Sequence, residues 1–242
     1  MSLPLVETFY SLQGEGSCVG QPSVFIRLGG CNFKCVGFGV RANIEGQEFM
    51  GCDSIYAVRP NSKWQYLKSA GELLDKLPAF NPACLPLIVL TGGEPSLHFK
   101  NPILLEALQI LQERRHVLWV ESNGSVLFDF SPPLDSLHFT LSPKLSFSQE
   151  TTPLKPLQNI LDHALEVVLK FVLKNPTDIH EVQNLLKQLC FKTPPLVYLM
   201  PLATDKERLQ EGLEGLAEVA LAHGYSLGQR LHIQLWGNEA GR

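Results

Sequence analysis

Three cysteines stand within one short region: Cys31 and Cys35 in Gly30-Cys31-Asn32-Phe33-Lys34-Cys35, and Cys52 ahead of Asp53-Ser54. A trio of thiolates can hold an iron–sulfur cluster and leave one iron without a protein ligand. An iron with an open position can bind and reduce a small molecule, whereas a cluster with four cysteine ligands mostly passes electrons. The spacing alone is loose, with three residues in the first gap and sixteen (36–51) in the second. Cys18 lies near enough in sequence to be a fourth ligand, which keeps an electron-carrier reading open. Cys84, beside Pro82, and Cys190, at the end of an apolar helix face, read as structural.

Other polar groups follow apolar runs. Val24–Leu28, Leu87–Thr91, Val117–Glu121, Leu137–Leu141, Val167–Val172, Leu196–Met200 and Leu231–Leu235 read as buried strands. Helix patterns lie between several of them. Ser69 with Glu72 forms a capping box, Asn101 opens 102–115, Asp178 with Glu181 opens a helix to about Leu189, and Lys206–His223 is closed by Gly224. This alternation predicts an α/β fold with a parallel sheet, in which chemistry sits at the carboxyl ends of the strands. The cysteine loop, Thr91-Gly92-Gly93-Glu94-Pro95, Glu121-Ser122-Asn123-Gly124, Ser142-Pro143-Lys144 and Met200-Pro201-Leu202 all fall at such ends. Residues 145–157, rich in Ser, Thr, Pro and Lys, read as an exposed excursion.

Composition narrows the function classes. At 242 residues, 45% hydrophobic and 18% charged, the chain can bury a full core as a single domain, 1–242. No apolar run is long enough to span a bilayer, and the first residues lack a signal-peptide pattern. A cytoplasmic location is therefore expected, where cysteines are more often metal ligands or reduced thiols than disulfides. A net charge of −4 with dispersed basic residues argues against a nucleic-acid surface.

Several segments carry both a plain and a functional reading. The Gly92-Gly93 pair is a turn former, or a backbone that closely approaches a ligand, with amide groups and Glu94 placed to meet an ammonium or carboxylate. Gln13-Gly14-Glu15-Gly16 is a turn, or one wall of a polar site. Glu15 and Arg27 bring opposite charges near the cysteine loop, suited to a polar heterocycle that bears a carboxylate. The seven histidines show no metal-binding spacing, and His232, near the C-terminal stretch 235–242, is the one nearest a candidate site.

Taken together, these residues resemble the 7-carboxy-7-deazaguanine synthases of the radical S-adenosylmethionine superfamily, over most of the chain. The resemblance rests on Leu12-Gln13-Gly14-Glu15-Gly16, Gly20-Gln21-Pro22, Phe25-Ile26-Arg27-Leu28-Gly29-Gly30-Cys31-Asn32, Cys52-Asp53-Ser54, Thr91–Pro95, Ser142-Pro143-Lys144 and Leu235-Trp236-Gly237-Asn238. One departure is clear. The superfamily commonly carries Cys-x3-Cys-x2-Cys, and here the second gap is sixteen residues. Three doublings of loop length cost roughly 2 kcal/mol in closure entropy. A metal–thiolate site contributes on the order of 10 kcal/mol or more, so a cluster tolerates the insertion. The inserted loop at about 36–51 reads as a surface loop, mobile when no cluster anchors its ends, or as a docking site for an electron donor.

The resemblance implies a partial, TIM-like βα barrel. It implies a [4Fe-4S] cluster on Cys31, Cys35 and Cys52, and S-adenosyl-L-methionine held by Gly93, Glu94, Ser142, Pro143 and Lys144. Mg2+ would sit at Ser54, and a pterin substrate would meet Leu12, Gln13, Gly14, Glu15, Arg27 and Thr91. The implied reaction is radical ring contraction of 6-carboxy-5,6,7,8-tetrahydropterin, begun by hydrogen abstraction at C6 and ending in loss of ammonia. The resemblance further implies a homodimer and a flavodoxin- or ferredoxin-like electron donor. A glycyl-radical-enzyme activase and a non-enzymatic iron–sulfur carrier are the alternatives. Alanine at Cys31, Cys35 or Cys52 should abolish activity and most bound iron, whereas alanine at Cys18, Cys84 or Cys190 should spare both. Iron analysis of the six purified variants checks this, and loss of iron from the Cys18 variant alone would reassign the ligands.

Overall fold

The computed structural model describes residues 2–81, 84–237, 239 and 241. The chain begins with two antiparallel strands, β1 (Leu3–Leu12) and β2 (Pro22–Leu28), in which Glu7 faces Arg27 and Phe9 faces Phe25. The hairpin β3 (Val40–Ile44) and β4 (Gln47–Gly51) comes next, then helix α1 (Ile55–Val58), strand β5 (Gln65–Leu67) and helix α2 (Ala70–Asp75). Strand–helix alternation follows: β6 (Leu87–Gly92), α3 (Pro102–Glu113), β7 (Leu118–Ser122), β8 (His138–Leu141), α4 (Leu154–His163), β9 (Glu166–Leu173) and α5 (Ile179–Leu186). It ends with β10 (Leu196–Pro201), α6 (Lys206–His223), β11 (Ser226–Leu227) and α7 (Leu231–Trp236).

Nine strands form one sheet in the order β11-β10-β9-β8-β7-β6-β2-β1-β5. Every pairing from β2 to β11 is parallel, and β1 and β5 add an antiparallel margin. No pairing joins β11 to β5, so the barrel is partial, as expected. None of the helices among the described residues is long and apolar enough to cross a membrane.

Alternation along the strands gives the sheet two different faces. Val24, Ile26, Leu28, Ile88, Leu90, Val120, Phe139, Leu169 and Phe171 join Leu73, Leu104, Leu108 and Leu157 of the helices in the main core. The other face carries a smaller apolar cluster of Phe25, Val89, Trp119, Val168 and Cys18. Two residues further along each strand stand Arg27, Thr91, Glu121 and Lys170. The concave face is thus apolar at its floor and polar at its rim, and the polar layer is the one at the carboxyl ends.

Several local expectations are corrected. The stretch 231–235 is helical, not a strand. Short apolar runs are ambiguous by periodicity, and the segment leaves the sheet to lie on the first loop, where the Leu231 N–H donates to Gly14 O at 2.9 Å. The insertion is not an irregular loop, because 40–51 forms a paired hairpin with Ala42 opposite Phe49 and the Arg59 guanidinium 4.3 Å from the Phe49 ring centre. Residues 145–157 are not an exposed excursion, since Leu145, Ser148, Thr152 and Leu157 are buried. Asp178 does open α5, as expected, and a 3-10 turn with a capping box of Asn175 and Asp178 lies just ahead of it. Cys84 and Cys190 are exposed, not packed.

The Gly92-Gly93 pair has a structural cause. Gly92 has φ +142°, and a Cβ there would sit 2.1 Å from Leu28 O; one at Gly93 would sit 2.2 Å from Gly30 O. The turn after β6 is therefore pressed against the start of the cysteine loop, with the Glu94 N–H donating to Gly30 O at 2.8 Å. Gly92→Ala should destabilise the metal-free protein by about 1–3 kcal/mol, the cost of a residue forced into a sparsely allowed backbone region. Urea unfolding measures it, and an unchanged midpoint would show that the turn relaxes without cost.

Candidate functional site

A cavity of about 500 Å3 opens at the carboxyl rim. Cys31 and Cys35 reach it from the loop after β2, and Cys52, Asp53 and Ser54 from the end of the hairpin. Thr91 and Gly93 come from β6 and its turn, Ser142 and Lys144 from the loop after β8, and Leu12, Gln13, Gly14, Glu15 and Arg27 from β1, β2 and the loop between them. Glu121, Asn123, Lys170, Arg230 and His232 add to its polar lining. Segments far apart in the chain thus converge, as the strand-end pattern predicts.

Two expected cofactor residues do not line the cavity. The Glu94 carboxylate is buried and turned inward, accepting from Ser96 N and Oγ (3.0 and 2.6 Å), Ser122 Oγ (2.8 Å) and Asn123 N (2.7 Å). It knots the turn after β6 to the end of β7, so its oxygens are already used. Pro143 is buried beneath the loop it belongs to. Cys18 is likewise absent from the lining and lies in the apolar floor cluster.

Glu15 does not pair with Arg27. It pairs with the Lys170 ammonium and, at 2.8 Å, with Arg230 Nε. Arg230 also donates to Ala203 O at 2.7 Å and to Asp53 Oδ2 at 2.6 Å. Arg27 donates from Nε to Glu7 Oε1 at 2.8 Å, and the Tyr56 hydroxyl donates to the same oxygen at 3.2 Å. Glu121 accepts from Gln13 Nε2 (3.0 Å) and Thr91 Oγ1 (2.8 Å). Burial would raise the Glu15 carboxyl, but Lys170, Arg230 and His232 outweigh it and hold it well below the usual carboxylate range. Burial pulls Lys170 and Arg230 down, but the facing carboxylates outweigh it and leave both above their ordinary values. His232 is lowered by burial and packs on Gly14, where a Cβ would sit 2.2 Å from its Nδ1.

Lys170 and Arg230 were not among the residues singled out from sequence. A lysine inside the apolar run 167–172 was a signal available there, because a buried cation requires a partner. Arg230 left no such signal.

The three cavity thiols lie within electrostatic reach of one another. Burial pushes Cys31 up to about 12 and Cys35 up to about 11, and it raises Cys52. Lys144 opposes the rise at Cys35 and Cys52. The metal-free trio is therefore protonated at neutral pH, and metal binding must displace those protons. Among the described residues, no three His, Cys, Asp or Glu side chains converge on a single ion. The donor set present at the cavity is three thiols, the ligand type an iron–sulfur cluster takes. Ser54 begins α1, yet its hydroxyl donates weakly to Asp53 Oδ1 (3.4 Å) without capping the helix, which leaves its oxygen able to meet a hard cation.

Breaking the Glu15 pairs leaves two buried cations uncompensated, so Glu15→Gln should cost about 3 kcal/mol at pH 7. A depressed carboxyl stabilises the fold fully above its unfolded value of ~4.3 and loses that contribution as pH falls below it. The wild-type unfolding midpoint should therefore drop more steeply between about pH 5 and 3 than that of the variant. Parallel pH profiles would show that Glu15 is not the group responsible.

No family model matches the chain. Among curated proteins, it is 31% identical to the 7-carboxy-7-deazaguanine synthase of Halobacterium salinarum, over 98% of this chain and 91% of that protein. It is 30% identical to that of Pyrobaculum aerophilum (98% and 96%) and 26% identical to that of Bacillus subtilis (99% and 98%). Among solved structures, QueE from Escherichia coli matches with a TM-score of 0.64 at 24% identity, over 96% of this chain and 95% of that one. That likeness carries the fold, including the open barrel.

Proposed function

Because the chain belongs to the 7-carboxy-7-deazaguanine synthase family, we propose that it is the lyase that converts 6-carboxy-5,6,7,8-tetrahydropterin to 7-carboxy-7-deazaguanine with loss of ammonia. The step belongs to queuosine biosynthesis. The observation that carries this reading is the shared cavity. Three thiols and a polar layer built from Gln13, Glu15, Arg27, Thr91, Glu121 and Lys170 line it together.

On this reading Cys31, Cys35 and Cys52 hold a [4Fe-4S] cluster, Gly93, Ser142 and Lys144 hold S-adenosyl-L-methionine, and Ser54 contributes to Mg2+. Bound together, these groups supply the carbon radical that starts the ring contraction. The side chains of this chain do the rest by binding and exclusion. Gln13, Thr91 and Glu121, already tied to one another, present an ordered edge of donors and acceptors to a pterin ring. With its Nε committed to Glu7, Arg27 meets the substrate carboxylate through its two terminal nitrogens. His232 and Arg230, brought in by the C-terminal helix, cover the first loop and limit water. The electron comes from a flavodoxin- or ferredoxin-like protein, and the working unit is a homodimer of single-domain chains.

Anaerobic turnover of 6-carboxytetrahydropterin with S-adenosylmethionine, Mg2+ and a chemical reductant tests the assignment, and a reconstituted protein that forms no deazaguanine would overturn it. Lysine lacks the planar fork of arginine. Arg27→Lys should therefore weaken pterin binding by about 1.5–3 kcal/mol, the range for a charge-assisted hydrogen bond, and leave S-adenosylmethionine binding unchanged. Titration of each ligand into the anaerobic variant distinguishes this from a scaffold role, in which both affinities fall together.

A further inference from the structure

The loop that follows Lys144 grips the first half of the cysteine loop. Glu150 Oε1 accepts from the backbone N–H of Lys34 at 2.6 Å and from that of Cys35 at 3.3 Å. Glu150 is itself held, because its N–H donates to the hydroxyl of fully buried Ser148 at 3.1 Å. Phe147 packs on Phe38, with ring centres 5.2 Å apart, and Lys144 Nζ lies 5.6 Å from the same Phe38 ring. The contact is close enough that a Cβ on Gly37 would sit 1.6 Å from Phe147 O.

Two features say that this contact orders the cysteine loop. Cys35 has φ +50°, a left-handed conformation that a non-glycine residue adopts only when its surroundings impose it. Gln149, beside Glu150, has φ +64°, so the gripping loop is also held in an uncommon shape. The carboxylate's bonds to the Lys34 and Cys35 amides fall on the residue with the left-handed backbone of the cysteine loop and on the one before it.

We propose that Glu150 is a positioning residue for the cysteine loop: it accepts the Lys34 and Cys35 amides and so fixes the left-handed backbone that presents the Cys35 thiol to the cavity before any metal arrives. The proposal rests on the reading of Cys35 as a cluster ligand only for its consequence. The brace itself consists of contacts between residues of this chain alone.

The test compares the full-length wild type with E150A and E150Q. In the metal-free proteins, amide hydrogen exchange at Lys34 and Cys35 should quicken roughly tenfold or more in E150A, as expected for loss of a charge-assisted hydrogen bond. It should stay near wild type in E150Q, whose amide oxygen can accept both bonds. After anaerobic reconstitution, iron loss to a chelator should be faster in E150A and normal in E150Q. The midpoint potential of E150Q should move to a more positive value, because one negative charge near the cluster is gone. Wild-type exchange in E150A would overturn the brace, as would E150Q exchanging as fast as E150A. If E150A does not fold, E150S, too short to reach the loop, serves for the same comparison. The expected exchange pattern in a chain that never binds iron would support the brace and sink the cluster reading instead.

Discussion

Glu15, on the loop between β1 and β2, sits between two cations supplied by the later part of the chain, and the shape of the cavity depends on that arrangement. Lys170 comes from the middle of β9, and Arg230 from the approach to α7. None of the three is more than slightly exposed. Three charges withdrawn from water hold together only when paired with good geometry, and removal of one strands the others. Arg230 extends the pairing to Asp53, next to the third cysteine, and to Ala203 after β10. One guanidinium therefore ties the loop between β1 and β2, the segment of the third cysteine and the end of β10 to one another. The Leu231 amide bond to Gly14 and the packing of His232 on the same glycine extend the seam.

A second set of contacts makes the cysteine side equally rigid without exposing charge to the cavity. Glu94, buried with its carboxyl raised by that burial, gathers four donors from two turns. One of them, Asn123, passes the constraint on, since its Nδ2 donates to Asn32 Oδ1 at 3.2 Å. Gly92 and Gly93 are required because the same turns approach the backbone of the cysteine loop at distances no side chain allows. This wall of the cavity is thus made largely of backbone, shaped from behind by a carboxylate. The inserted hairpin joins this rigid region at Gly51, where a Cβ would meet Lys34 O at 2.8 Å. The long gap before Cys52 is in this way spent on regular structure.

The layering of the concave face explains how a site this polar coexists with a stable core. Strands β2, β6, β7 and β9 each turn one apolar residue to the floor and one polar residue to the rim, two positions apart. Trp119 on the floor satisfies its own N–H on Thr140 Oγ1 at 2.7 Å. The outer face of the sheet packs on the helices and provides the main core. Binding chemistry is therefore concentrated at one end of the sheet, on the face away from the main apolar core.

Much of this was legible in the sequence, because the signals are local. Apolar runs bounded by turn residues marked β2 and β6 to β10. Capping residues marked α2, α3 and α6, and the polar groups at the strand ends marked the rim. The cysteine trio and its neighbours marked the chemistry. Tertiary structure alone decided the rest. Glu15 finds its partners 155 and 215 residues away, and charge pairing through space leaves no trace in residue spacing. Glu94 reads as a ligand-facing acid beside two glycines, yet Ser96, Ser122 and Asn123 turn it inward. Residues 231–236 alternate like a strand, but the sheet ends at a two-residue β11 and Gly14 offers an acceptor, so a helix forms there. Glu150 lies in a stretch whose composition suggests exposure, and only the folding of that stretch onto the cysteine loop gives its carboxylate two amides to hold.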